Sequence, residues 1–472
     1  MDRLSPQDAS FLYTETRNSP MHIGGVSIFT GPSPTGHELY DAVQRKLALV
    51  PRYRQRVLFS PLSIGPPVWS DDVQFDLGYH LRRTALPSPG GEEELAVLTG
   101  RVMSQQLDRS KPLWEMWAVE GLSEGRWALL SKVHHSMVDG VSSTDLMTVL
   151  LDAAPHPPAA PLPAVWKPAP EPGPARLLLD SAAALASGAI PRAGLRQAIH
   201  EPLATATRAI EIANAAIPML RTLSPGEVTS LNGPVGPHRR WQKASVPLAD
   251  VQAVRTGLGG TVNDVVLAAV TGGFRALLGS RGELLQGQSL RALVPVSIRP
   301  PSARGVYDNQ VSAVFAQLPV GTDDVLTRLE DLRHQMDDLK RRKGALAGKM
   351  LTGLAGFAPP MLLALAGRLS ARLPQRSINT AATNVPGPQA PLYLAGRQML
   401  ESAPYVPIAG QIRVTVGIFS YNGTLSFGIT GDAETAPDID VLSRGIGHEI
   451  QLLVKLAKGR GLPRARKPEG AT

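Results

Sequence analysis

Apolar and polar positions along the chain change period several times, and each change marks an element. Trp127 to Val133 is an apolar run with Ser131 and Lys132 late in it, which predicts a strand. From Val141 onward, Val141, Leu146, Met147, Val149 and Leu150 take up helical spacing. Ala9 to Tyr13 predicts a helix, with Ser5 as N-cap and Pro6 at the first helical position, where its missing N–H costs nothing. Pro20 to Phe29 predicts a strand, and Glu38 to Val50 an amphipathic helix that stops before Pro51. Arg52, Arg54 and Arg56 alternate, as they would on one face of a strand, and Met116 to Glu120 predicts another strand.

The second half repeats this grammar. Residues 153 to 176 are dense in Pro and Ala, a stiff linker composition, and helical signals fill 176 to 222. Leu231 to Arg240 is a turn-rich loop. Thr261 to Val270 begins a helix in which Thr261 and Asp264 have capping-box spacing. Strands follow at Arg291–Arg299 and, after Asp308-Asn309, at Val311–Leu318, then a helix from Asp323 to Lys343. Past Asn379 to Pro388, strands Arg413–Ser420 and Thr424–Thr430 are joined by Tyr421-Asn422-Gly423, a hairpin signal. The expected division is therefore residues 1–152, a connection over 153–230, a second unit over 231–457, and a basic Pro/Gly-rich tail over 458–472 that is expected to be disordered. Met350 to Gly367 carries no charge but is broken by Pro359-Pro360, so it does not read as a spanning helix. With Arg341, Arg342, Lys343 and Lys349 just upstream, it suits either a membrane interface or a buried helix pair.

Composition narrows the class. Hydrophobic residues are 43% and charged residues 19%, which fits a globular chain. Cysteine is absent, which excludes a disulfide scaffold, a thiolate zinc site and a Cys nucleophile. Met1 to Pro6 has no apolar segment, so no secretory signal is expected. The net charge of +8 could suit nucleic acid, yet aromatics are only 5% and no nucleic-acid motif is present, so an anionic membrane or cofactor is the better fit.

The candidate chemistry lies between the strand ending at Val133 and the helix starting near Val141. His134-His135-Ser136-Met137-Val138-Asp139-Gly140 places two imidazoles and a carboxylate on a strand-to-helix turn. One histidine can face the reacting atoms as general base. Asp139 lies too far along to act at the same point, but could anchor the turn through an arginine or backbone amides, or cap the following helix. Arg299, the cation ending its strand, is the candidate partner. Asn263 at a helix N-terminus suits a ligand contact, and Asp264 beside it is a cap or a second contact. Gly121-Leu-Ser-Glu-Gly125 formally matches a nucleophile elbow, but it joins two strands, so it reads as a hairpin loop. No metal-ligand spacing accompanies the histidines, and His22 reads as structural.

The His-His-x-x-x-Asp-Gly turn resembles the coenzyme A-dependent acyltransferase superfamily. In that superfamily the second histidine is the base, which implies His135, with His134 supporting it. Further stretches resemble the bacterial wax ester synthase/diacylglycerol acyltransferase family: Leu4–Leu12, Pro20-Met-His-Ile-Gly24, Pro112-Leu-Trp114, Val262–Leu267, Pro295–Arg299 and Thr383–Pro388. The resemblance implies an α/β fold of two domains with mixed sheets and an active-site channel between the halves. It implies transfer of a fatty acyl group from acyl-CoA to diacylglycerol, with long-chain alcohols as possible wax-ester acceptors. His135, His134 and Asp139 are then the catalytic set, and Gly140, Asn263 and Asp264 the substrate-binding set. No cofactor beyond the acyl-CoA substrate is expected. The expected setting is cytoplasmic and peripheral, on the inner membrane face or a lipid-droplet surface, without nucleic acid. A condensation-like acyltransferase using another nucleophile, or a non-catalytic lipid-binding protein on the same fold, are the rival readings.

Overall fold

The computed structural model describes residues 2–61, 66–137, 149–157, 166–186, 229–297, 311–339 and 378–459. Asp139, Gly140, Arg299, the segment Met350–Gly367 with its upstream basic cluster, and most of the 153–230 connection lie outside these residues.

The chain opens with β1 (Asp2–Arg3) and α1 (Pro6–Thr14), whose N-cap Ser5 accepts the Asp8 N–H at 3.1 Å. Next come β2 (His22–Phe29) and α2 (Gly36–Lys46). A Thr35/Glu38 capping box starts α2 two residues before the apolar pattern does, and a 3₁₀ turn, Leu47–Leu49, ends it ahead of Pro51. Pro51–Arg54 is a second 3₁₀ turn, not a strand, because Pro51 presets the helical φ that opens it. The expected one-faced row of Arg52, Arg54 and Arg56 is thereby corrected. Arg52 lies over the Trp69 ring at 4.4 Å and Arg54 over Trp166 at 4.5 Å, and only Arg56 is in a strand. That strand is β3 (Gln55–Leu58), followed by β4 (Val68–Asp71), α3 (Leu77–His80), β5 (Leu81–Ala85) and α4 (Glu92–Ser104). β6 (Trp114–Leu122) and β7 (Arg126–His134) form an antiparallel hairpin. Its turn is Gly121 to Gly125, with positive φ at Gly121, Glu124 and Gly125, so Ser123 is a turn residue.

Beyond α5 (Pro174–Ala186) come β8 (Arg239–Pro247), α6 (Leu248–Leu258) and α7 (Val262–Ser280). β9 (Leu290–Ser297) and β10 (Val311–Leu318) pair, and α8 runs through 325–339. Then follow β11 (Thr380–Pro386), β12 (Tyr393–Leu394), β13 (Arg397–Tyr405), β14 (Val414–Tyr421), β15 (Thr424–Asp432) and α9 (Ile439–Gly459). Asn422 and Gly423 both have positive φ, as a tight primed hairpin turn requires. The last helix extends over Lys458 and Gly459, where the sequence suggested tail.

Two six-stranded mixed sheets organise the described residues. The first has order β12-β13-β2-β7-β6-β5 and the second β10-β9-β11-β14-β15-β8. The first sheet is thus not built from residues 1–152 alone, since β13 crosses over to pair with β2. Its end, Pro404, lies against the second sheet: a Cβ on Gly428 would meet the Pro404 carbonyl at 1.7 Å, so only glycine fits. Trp241 of β8 donates its indole N–H to the same carbonyl at 3.2 Å and packs with Val26, Leu98 and Tyr405 of the first half. α7 and α9 fill the second sheet's core. α7 is long and apolar enough to cross a membrane, but 72% of that window is buried inside the protein. The tight approach of α4 to β8 at Gly100 completes the seam, because a Cβ there would be 2.4 Å from the Arg239 carbonyl.

Candidate active site

β7 is one of the two central strands of the first sheet, covered on both faces, and its residues from Trp127 to His134 are all buried. Its end is clamped from two sides. The His134 N–H donates to the Leu113 carbonyl and the His135 N–H to the Met21 carbonyl, both at 2.9 Å. The stretches Pro20–Gly24 and Pro112–Trp114 therefore hold the turn in place. His135 opens a 3₁₀ turn, His135–Met137.

The His135 ring is stacked on Phe11 of α1, with centroids 3.9 Å apart and planes at 19°. Burial pushes its imidazole below the ordinary value, and its own backbone carbonyl partly offsets this. A neutral imidazole keeps a lone pair on one ring nitrogen, the form a general base needs. His134 is enclosed: its Nδ1 accepts the Ser136 N–H at 3.1 Å and lies 2.7 Å from the Ser136 hydroxyl. Nε2 faces Glu15 Oε1 at 3.7 Å. Burial first, then the charges of Arg109 and His135, lowers its pKa to about 3, so it is neutral at neutral pH.

Glu15, directly after α1, ties these pieces together. It accepts the Met21 N–H at 2.9 Å, and Arg109 donates to it through Nε at 3.2 Å and Nη2 at 2.7 Å. Arg109 also holds the Leu12 carbonyl at 2.8 Å, which fixes α1 and with it Phe11. Behind the histidines lie two further buried groups. His22, opposite His134 in the β2–β7 register, has Nε2 2.7 Å from the Met103 carbonyl. Lys132 donates to the carbonyls of Val102 at 3.1 Å and Gln105 at 2.5 Å, and burial brings its pKa down to about 8. His22 is thus a hydrogen-bonded core histidine.

Of the residues singled out in the sequence, the structure brings His134 and His135 together. Asn263 and Asp264 stand at the start of α7 in the other half, with no hydrogen bond, ion pair or ring contact to either histidine. Asp264 is 1% exposed, and its Oδ2 accepts the Thr261 N–H at 2.8 Å in the capping box, so its side chain is committed to the helix start. Asn263 is less enclosed, and its carbonyl oxygen accepts from Asn384 at 3.3 Å, which leaves its own amide N–H groups available to a ligand. The Asp139–Arg299 pair lies outside the described residues. Sequence reasoning passed over Phe11, Glu15 and Arg109. Each lies in or beside a stretch already quoted for the resemblance, but their meeting at the turn depends on the fold. Among the described residues no group of three or more His, Asp or Glu is placed to hold a metal ion.

Comparison with known proteins places this geometry. A model of the wax ester synthase/diacylglycerol acyltransferase catalytic domain matches residues 4–266, and one of the corresponding C-terminal domain matches residues 307–454. A protein of Mycobacterium tuberculosis named a probable diacylglycerol O-acyltransferase is 36% identical over 479 residues, covering 99% of this chain and 98% of its own length. A second protein so named from that species is 32% identical over 475 residues, covering 98% and 100%. Among solved structures, the wax ester synthase/diacylglycerol acyltransferase from Marinobacter aquaeolei VT8 superposes with a TM-score of 0.70 at 28% identity, over 97% of this chain and 100% of its own. The first condensation domain of the calcium-dependent antibiotic synthetase gives 0.57 at 17% identity, over 97% and 96%, and shares the fold alone.

Proposed function

The chain belongs to the wax ester synthase/diacylglycerol acyltransferase family, and on that premise we propose how this acyltransferase uses the turn at the end of β7. It moves a fatty acyl group from acyl-CoA to the hydroxyl of diacylglycerol, making triacylglycerol, with long-chain alcohols as alternative acceptors that give wax esters. The observation that carries the mechanism is the His135 ring, stacked on Phe11, lowered in pKa by burial and so kept as a neutral base.

The acceptor hydroxyl loses its proton to His135 Nε2 as its oxygen bonds to the thioester carbonyl carbon. The tetrahedral oxyanion then collapses, the C–S bond breaks, and the imidazolium returns the proton to the departing CoA thiolate. The chain has no cysteine, and Ser123 is a hairpin-turn residue, so direct transfer needs fewer steps than an acyl-enzyme. His134 supports the turn through Ser136, and Asn263 offers amide donors to the oxyanion or substrate. Asp139 is assigned to hold the turn against Arg299, and Gly140 to let substrate approach the backbone. Acyl-CoA enters as a substrate, and this step calls on no further cofactor. The enzyme works in the cytoplasm, peripherally on a membrane face or lipid-droplet surface where its acceptor is dissolved.

The test is thiol release from acyl-CoA by purified protein with a panel of diacylglycerol, long-chain alcohol and amine acceptors. His135→Ala is expected to lower turnover by roughly 10²–10⁴-fold with the fold intact. A folded His135→Ala protein with near-full activity would remove the mechanism. Release with an amine acceptor alone would favour the condensation-like alternative.

A further inference from the structure

α4 and the start of β8 enclose a cleft at the seam between the two halves. Its volume is about 640 Å³, within the range that holds a sizeable ligand. Arg17, Arg101, His238 and Arg239 line it together with Ser104 and Gln105, and no carboxylate does. Arg239 is buried, donates to the carbonyls of Gly236, His238 and Asn18 and lies 4.0 Å from the Asp432 carboxylate, so its charge is already partnered within the protein. Arg17 and Arg101 are different. Several half-buried arginines pair with carboxylates: Arg52 with Asp2, Arg56 with Glu171, Arg275 with Asp323 and Arg397 with Glu38. Neither Arg17 nor Arg101 has such a partner among the described residues, and both are exposed on the same cleft. Two unpaired guanidiniums converging on one concavity suit a ligand with more than one phosphate.

The back of this cleft packs against the strand that carries the catalytic turn. The Gln105 carbonyl accepts from Lys132, and the Met103 carbonyl is held by His22, which faces His134 in the strand register. Lys132 is two residues before His134 on β7, roughly 7 Å along an extended strand. A ligand with its anionic end against Arg17 and Arg101 therefore lies close to the strand that carries the turn.

We propose that this cleft receives the phosphorylated adenosine end of the acyl-CoA donor, with Arg17 and Arg101 binding its phosphates. The proposal rests on the acyl-CoA reading above. Phosphate on an anionic lipid headgroup shares that chemistry, but a concave cleft near the strand that carries the turn fits a single soluble donor better than a flat membrane surface.

The experiment compares wild type with an Arg17→Gln/Arg101→Gln double variant of the full chain. Both side chains are exposed, and an unchanged thermal midpoint serves as the folding control. Palmitoyl-CoA and palmitoyl-pantetheine are the donors. KM for palmitoyl-CoA is expected to rise about tenfold or more, equivalent to about 1.4 kcal/mol, with kcat within about twofold and KM for palmitoyl-pantetheine unmoved. Calorimetric titration with adenosine 3′,5′-bisphosphate should weaken by a similar factor, and phosphatidylglycerol vesicle binding should not change. Equal KM values for both proteins, or an equal rise with both donors, would overturn the assignment. Loss of vesicle binding with an unchanged KM for palmitoyl-CoA would also overturn it and give the cleft to lipid headgroups. If wild type turns over no acyl-CoA, the functional reading fails separately: the bisphosphate titration still decides, supporting the cleft if only wild type binds and overturning it if the two proteins do not differ.

Discussion

The two adjacent imidazoles at the end of β7 sit in different surroundings and carry different proton chemistry. The His135 ring stacks on Phe11, whereas His134 is enclosed, and the His134 pKa falls from 6.5 to about 3. In the unfolded chain that ring titrates at its ordinary value, so between pH 6.5 and about 3 the unfolded state binds the extra proton. The stability this group contributes is complete above 6.5 and is lost as pH falls toward 3. Burial shifts His22, His80 and His135 in the same direction. Unfolding free energy from denaturant titration is therefore expected to fall on acidification, by up to about 1.4 kcal/mol per pH unit for each such histidine. His134→Gln should flatten that slope by one proton's share, and identical slopes in the two proteins would sink the assignment. The neighbouring histidines at the end of β7 were legible because a strand end and its adjoining turn are read locally. Glu15 and Arg109 were not, because they meet across a sequence separation of 94 residues.

At the scale of elements, the crossing of α7 and α9 shows what local pattern can and cannot reveal. The α7 capping box could be read from Thr261 and Asp264 alone, since it depends on four consecutive residues. α9 has Ile439, Leu442, Ile446, Ile450 and Leu453 at helical spacing, but Gly445 and Gly447 interrupt it, each costing about 1 kcal/mol of helix propensity against Ala. The fold explains Gly445: a Cβ there would be 2.9 Å from the Gly273 Cα, and one on Gly273 would be 2.9 Å from the Leu442 carbonyl. Beside this contact, Arg328 of α8 donates to both oxygens of Glu449, at 2.7 and 2.8 Å, with both residues buried. Glu449→Ala leaves that guanidinium enclosed without its carboxylate, at an expected cost of about 3–5 kcal/mol. An apolar double replacement, Arg328→Met with Glu449→Leu, should cost less, as calorimetric or denaturant unfolding will report. A loss below about 1 kcal/mol for Glu449→Ala would mean that the pair is solvated in solution.

For the whole molecule, charge and topology matter more than any one contact. The net charge of +8, with Arg341, Arg342, Lys343 and Lys349 beside Met350–Gly367, supports the peripheral membrane reading. We expect binding to anionic vesicles that weakens as the screening length shrinks from about 30 Å at 0.01 M salt to about 8 Å at 0.15 M. Flotation that finds no bound protein at the lower salt would refute it. The Pro/Ala-rich connection suggested a division of the chain, but it gave no sign that β13 enters the first sheet. Strand pairing leaves no signature when Ser27 and Ser402, hydrogen-bonded across β2 and β13, are 375 residues apart. That separation has a consequence for how the protein is made. A chain leaving the ribosome N-terminus first holds β2 with one edge bare until β13 emerges, and an open edge is a template for pairing with any other chain. At about 5–20 residues per second those 375 residues take roughly 20–75 s to synthesise. Through that interval the nascent half-protein needs a chaperone or an empty neighbourhood, and the arrival of one late strand ends its exposure.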